Sequence, residues 1–210
     1  MNQPQSAVGN CLDVQSFINA QPLSRYQWRV VILCFLIVFL DGLDTAAMGF
    51  IAPALSQDWG IDRASLGPVM SAALIGMVFG ALGSGPLADR FGRKVVLVGA
   101  VLLFGAFSLA SAYSTNVDQL LVLRFLTGLG LGAGMPNATT LLSEYTPERH
   151  KSLLVTSMFC GFNLGMAGGG FISAKLIPAF GWHSLLLIGG VLPLILALVP
   201  VSYTHLRAHE

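Results

Sequence analysis

Six long apolar stretches leave this chain few folds to choose from: they lie near Arg29 to Ile51, Leu66 to Leu87, Val95 to Tyr113, Gln119 to Leu142, Ser152 to Ile177 and Ser184 to Val201. A hydrocarbon core about 30 Å thick is crossed by about 20 helical residues, and each stretch is of that order. Of the 210 residues, 54% are hydrophobic and only 10% are charged. A soluble domain needs about 25% charged residues to cover its surface. The pattern therefore predicts an all-α membrane protein with its helices within 28–201. A formal net charge of +1 leaves no basic surplus for nucleic acid. Cys11, Cys34 and Cys160 are odd in number and widely spaced, and they read as small packing residues without a disulfide or metal signal. No cofactor motif, catalytic histidine or nucleophile arrangement points to an enzyme.

Charge sets the expected orientation. With the N-terminus inside, the cytoplasmic segments carry Arg25, Arg29, Arg90, Arg93, Lys94, Arg149 and Lys151, against Arg63 and Lys175 on the other side. This is the bias that holds short loops on the cytoplasmic face. Residues 1–27 read as a polar cytoplasmic segment without the basic and apolar regions of a signal peptide. Tyr26 and Trp28 stand at the entrance of the first stretch, and Trp59 and Trp182 flank others, as amphipathic rings do at headgroup level. Residues 202–210 change composition abruptly and hold two of the four histidines. They read as a non-native or truncated tail, or as the start of a central loop.

Asp41 and Asp44 fall inside the first apolar stretch, three residues apart and so on one helical face. An ionised carboxylate near the bilayer centre costs roughly 2.5 to 3.5 kcal/mol on insertion scales, too much to be incidental. Either the pair carries protons, or one of them merely caps or pairs within the bundle. Arg124 lies near the start of the fourth stretch, which descends from the outer side. At 1.5 Å per residue it is ~8 Å below the outer boundary and Asp44 is ~22 Å above the inner one. In a core of about 30 Å these depths coincide, so Arg124 can pair with Asp41 or Asp44. Two carboxylates close together in a low-dielectric site do not easily ionise together, as a proton carrier requires. A proton from outside could neutralise the pair and free Arg124 for an anionic substrate. Asn163, near mid-depth of the fifth stretch, could hydrogen-bond substrate or bridge helices.

Gly76 with Gly80, and Gly161 with Gly165 and Gly169, recur every four residues and predict close helix packing. Gly128, Gly130, Gly132 and Gly134 lack the preceding strand and the acidic ribose partner of a dinucleotide loop. Two charged turns face the cytoplasm: Gly85-Pro86-Leu87-Ala88-Asp89-Arg90-Phe91-Gly92-Arg93-Lys94, and Glu144 to Lys151 including Arg149. Ion pairs between them would form a latch that breaks on rocking. The alternative is a solvated surface whose pairs contribute little.

The 85–94 segment resembles, almost residue for residue, the loop between helices two and three of the major facilitator superfamily. Arg124 with Gly128 and Gly130 is similar to that family's fourth-helix motif, in which the arginine is often linked to proton transfer. Superposing the first three stretches on the last three lays Phe91-Gly92 on Phe180-Gly181. This matches the three-plus-three inverted repeat of one transporter half. Together with Asp41-Gly42-Leu43-Asp44-Thr45-Ala46-Ala47, these motifs resemble the aromatic acid:proton symporter family over about residues 20 to 201. The fifth stretch lacks the glycine-proline motif of drug-proton antiporters, which favours a symporter.

The resemblance implies a six-helix N-terminal half of a bacterial inner-membrane, multi-pass transporter. It implies proton-coupled import of aromatic acids such as 4-hydroxybenzoate, protocatechuate or benzoate by alternating access. It also implies that Asp41, Asp44 and Asp89 are needed for transport, and that a C-terminal half, the partner of the 85–94 loop, is missing. A symporter of another organic anion or a sugar in the same superfamily, or a non-transporting membrane fragment, would share the fold.

Overall fold

The computed structural model describes residues 24–207. Six helices run α1 (Arg25–Trp59), α2 (Gly67–Phe91), α3 (Arg93–Ser111), α4 (Val117–Tyr145), α5 (Glu148–Phe180) and α6 (His183–Arg207), with a 3₁₀ turn at Arg63–Leu66 before α2. Each expected apolar stretch lies within one of these helices, apart from end residues, and the helices extend into the polar flanks. At 35 residues, α1 is about 50 Å long and outreaches the hydrocarbon core. Five helices are long and apolar enough to cross a membrane by length and composition, and α6 adds an apolar segment at His183–Leu198.

Local chemistry explains the helix ends. Ser24 caps α1 in a capping box: its hydroxyl accepts from the Gln27 amide, and the Gln27 side chain accepts from the Ser24 amide. The Gln27 side-chain amide also donates to the Tyr145 carbonyl at 2.8 Å, tying the start of α1 to the end of α4. The 85–94 segment differs from a loop. Gly85 to Phe91 continue α2, and the only break is Gly92 at φ +87°. Glycine tolerates that conformation without a steric cost, so two helices can meet with one residue between them. Gly181 repeats the device at φ +77° between α5 and α6. Both also close the preceding helix in the same way, their amides donating to Ala88 and Ile177 carbonyls four residues back.

The pairing of helices follows the same internal symmetry. The closest packed pairs are α2 with α4 and α1 with α5, which the three-plus-three repeat exchanges. Glycine makes both contacts possible. Gly76 and Gly80 of α2 abut the backbone carbonyls of Phe125 and Leu129, while Gly128 and Gly132 of α4 abut those of Ala73 and Met77. Across the other pair, Gly42 abuts the Phe162 carbonyl and Gly165 the Phe39 carbonyl. A Cβ at any of these positions would overlap backbone. Small residues thus bring helices close enough for dispersion contacts to act where lipid supplies no hydrophobic drive.

Buried apolar side chains form three clusters. One holds Ile51, Leu55, Leu66, Leu120, Trp182 and Leu185; a second holds Val31, Val38, Leu97, Leu142 and Met158; a small third holds Leu40, Phe104 and Leu131. Outside, α2 exposes Leu74, Phe79 and Leu82, and α5 exposes Phe171, which is 78% accessible. Apolar faces this continuous suit lipid or a partner surface rather than water.

Two further expectations change. Trp182 is 3% exposed, so it belongs to the core instead of an interfacial belt; its indole N–H donates to Asp58 at 3.0 Å and its ring meets Trp59 edge-on. Cys160 is exposed, so of the cysteines proposed as packing residues only Cys34 is buried, and Cys11 lies outside the described residues. Helical backbone continues through Arg207 across the composition change at 202, and residues 208–210 lie outside the described part.

Candidate functional site

Among these apolar clusters lies a polar one. Asp41 and Asp44 on α1, Ser108 on α3, and Arg124 with Thr127 on α4 are all no more than 3% exposed. Arg124 Nη1 donates to Asp44 Oδ2 at 2.9 Å. On the other carboxylate oxygen, Ser108 Oγ donates to Asp44 Oδ1 at 2.7 Å. Gly189 of α6 lies over this bond, where an added Cβ would sit 3.3 Å from Asp44 Oδ1. The site is thus assembled from α1, α3, α4 and α6, helices that the internal repeat exchanges in pairs.

Depth alone left Arg124 free to pair with either aspartate; the packed helices select Asp44. Asp41, one turn earlier on α1, has a long 3.5 Å contact from the Thr45 hydroxyl. A buried ion pair offsets its desolvation only when its geometry is good and its remaining valences are met. Asp44 meets that condition with a partner on each oxygen. Arg124 does not, since its Nε and Nη2 reach no acceptor among the described residues. The arrangement can therefore hold one carboxylate firmly while keeping guanidinium donors for another.

Ser108 was not legible as a site residue in the sequence, because a lone serine in an apolar helix has no distinguishing pattern. Its one signal is a helical position that shares the buried face of Leu97, Ala100, Val101 and Phe104. Asn163 is outside this cluster: it lies on an exposed part of α5 and donates to the Phe159 carbonyl of its own helix at 3.2 Å, so it bridges no helices. Asn137, within a sequence resembling a glycosylation site, is buried at 3%.

At the end of the bundle that bears the charged turns, Arg93 Nε meets Glu144 Oε1 at 2.6 Å, joining the start of α3 to the end of α4. Both side chains are partly exposed, at 35% and 48%. Asp89 and Arg149 are exposed and take part in no ion pair among the described residues. The Arg90 guanidinium stands 5.4 Å over the Phe91 ring. Gly85 is exposed, and a Cβ there would meet open space. Two surface clefts, of about 400 Å³ beside Asp58 and Trp182 and about 570 Å³ beside Ser143 and Lys151, do not reach the ion pair.

A six-helix bundle with glycine-mediated helix pairs, an internal three-plus-three symmetry and a buried ion pair between its central helices has the architecture of one half of a secondary-transporter fold. The chain belongs to the Major Facilitator Superfamily, whose family model matches residues 34–210. It is 92% identical over 199 residues to the 4-hydroxybenzoate transporter PcaK of Pseudomonas putida, covering 95% of this chain and 44% of that protein. A gallate transporter of Pseudomonas putida is 55% identical, with 95% of this chain and 45% of that protein covered. The chain thus spans about half the length of the curated relatives it matches. Among solved structures it is similar to the inward-open xylose transporter XylE from E. coli, with a TM-score of 0.73 at 20% identity, covering 84% of this chain and 48% of that one. That likeness speaks to the fold alone.

Proposed function

We propose that this chain forms the N-terminal half of a proton-coupled importer of aromatic carboxylates, 4-hydroxybenzoate first among them, working by alternating access in the bacterial inner membrane. The single observation that carries coupling is the Arg124–Asp44 ion pair, closed off from water and lipid, with a second carboxylate, Asp41, one helical turn away. The names of the close relatives support the substrate class.

In this reading a proton entering from outside neutralises the Asp41/Asp44 pair. The hold on Arg124 weakens, and its unpartnered Nε and Nη2 become donors for the carboxylate of the solute. Rocking of this half against the C-terminal half then exposes the site to the cytoplasm, where proton and solute leave. Asn163, on the exposed part of α5, supplies a polar contact toward the solute path. The N-terminus is cytoplasmic, as the distribution of Arg and Lys favours. Arg93–Glu144 holds the cytoplasmic ends of α3 and α4 together. Gly85, Asp89, Arg90, Gly92, Lys94 and Arg149, in the same two charged segments, form in this reading the surface against which the second half closes.

The test uses a full-length transporter containing this half. Cells should accumulate labelled 4-hydroxybenzoate in a manner abolished by a protonophore, and Asp41→Asn and Asp44→Asn should each lose that accumulation. Retention of protonophore-sensitive accumulation by both variants would refute the coupling role. Preference for a sugar over aromatic acids in competition would refute the substrate class.

A further inference from the structure

We propose that Ser108 is a positioning residue for the coupling pair: its hydroxyl keeps the Asp44 carboxyl in one orientation both when it is paired with Arg124 and when it carries a proton. The inference rests on the coupling role proposed above for Asp44.

Ser108 reaches Asp44 from a third helix, and it is completely buried. It occupies Oδ1 while Arg124 occupies Oδ2, so the two partners divide the carboxylate instead of competing for one oxygen. Their chemistry differs in the respect that matters. A guanidinium can only donate, so it has nothing to offer a protonated carboxyl's O–H. A hydroxyl both donates and accepts. When a proton arrives on Asp44 Oδ1, Ser108 Oγ can accept the new O–H, and its own hydrogen turns to a carbonyl one helical turn back, an ordinary alternative for a helical serine. No bond between heavy atoms changes, and the proton remains on Asp44 until the site opens.

The surroundings permit that reversal. Gly189 has no side chain to block it, and its hypothetical Cβ would lie 3.5 Å from Ser108 Oγ. The charged groups facing the cluster are Asp41 from α1 and Arg124 from α4. Described residues of α3 carry charge only at Arg93 and Lys94 at its far end, and the titratable residues of α6 are His183 at its start and Tyr203, His205 and Arg207 in its last turns. Without Ser108, Asp44 Oδ1 would be buried with no hydrogen-bond donor among the described residues, and the carboxyl would be free to rotate once Arg124 let go.

The experiment uses the full-length transporter with Ser108→Ala, Ser108→Thr and Asp44→Asn, each normalised to the amount of protein in the membrane. Proton-driven uptake of labelled 4-hydroxybenzoate is measured across pH, alongside exchange of labelled for unlabelled solute without a proton gradient. Ser108→Ala should slow uptake on the order of tenfold, as loss of a hydrogen bond to a charged group implies, and should displace the pH profile while leaving exchange within about twofold. Ser108→Thr, which keeps the hydroxyl, should restore the profile. An unshifted profile in Ser108→Ala overturns the inference, whether rates are normal or uptake and exchange fall together. A threonine variant that matches alanine also overturns it; should threonine not accumulate in the membrane, the alanine profile decides. If Asp44→Asn retains normal uptake, the coupling reading itself fails; if it abolishes uptake while Ser108→Ala is normal, only the Ser108 inference fails.

Discussion

Neutralising Asp44 tests how the buried pair is held together. Asp44→Asn keeps the shape of the side chain but leaves the Arg124 charge without its counter-ion, in a site where the two side chains are only 1% and 2% exposed. Two of the three guanidinium nitrogens already lack an acceptor, and the variant leaves the third only a neutral amide oxygen in place of a carboxylate. Removing one partner of a buried pair costs about 3–5 kcal/mol. Arg124→Gln, which strands Asp44 with only Ser108, should cost a similar amount. The double variant Asp44→Asn/Arg124→Gln removes both charges and leaves amides of similar shape, so its cost should fall well below the sum of the two singles. The assay is a double-mutant cycle on thermal unfolding of the purified full-length transporter in detergent, with an expected interaction of about 2 kcal/mol or more between sites in direct contact. Additivity within about 0.5 kcal/mol would refute the pairing, because independent sites add to that precision. Asp41 provides an internal control: lying one turn away without a guanidinium contact, Asp41→Asn should couple to Arg124→Gln more weakly than Asp44→Asn does.

Gly76→Ala should destabilise the bundle by about 1–3 kcal/mol, because its Cβ overlaps the Phe125 carbonyl; Gly83→Ala, whose Cβ meets open space, should be neutral or slightly stabilising in the same unfolding assay. The half-exposed Arg93–Glu144 pair should contribute less than about 1 kcal/mol to stability, read as coupling between Arg93→Ala and Glu144→Ala at low salt, and coupling above that value would mean the pair is shielded from solvent. Trp182→Phe keeps an aromatic ring but removes the N–H donated to Asp58, and should lower stability by about 1.5–3 kcal/mol; a change in melting temperature no larger than scatter would show that this hydrogen bond is not maintained.

Much of this architecture is legible from residue order because helices and bilayers impose one-dimensional rules. The length of an apolar run decides whether it spans. A carboxylate or guanidinium inside such a run is too costly to lack a purpose, which singled out Asp41, Asp44 and Arg124 before any contact was known. Glycines four residues apart announced the close faces of α2 and α5, and the contacts at Gly76, Gly80 and Gly165 are where those faces meet carbonyls. The likeness of Phe91-Gly92 to Phe180-Gly181 marked the repeat that the positive-φ glycines then express in three dimensions.

Other features depend on rotation and neighbour choice, for which a linear pattern has no variable. The charged 85–94 segment looked like a loop, yet one left-handed glycine is enough to turn the chain, and α2 runs on to Phe91. Asn163 occupies mid-helix depth, but it lies on an exposed part of α5 and donates to the Phe159 carbonyl of its own helix. The sequence by itself determined that this chain must span lipid, and that acidic and basic side chains must find each other inside it, because burying them alone costs too much. Only the tertiary structure decided that Arg124 takes Asp44 rather than Asp41, and that Ser108 and Gly189 complete the site. Those choices follow from which helical faces the glycine contacts press together, and that is a property of packed pairs rather than of any single helix.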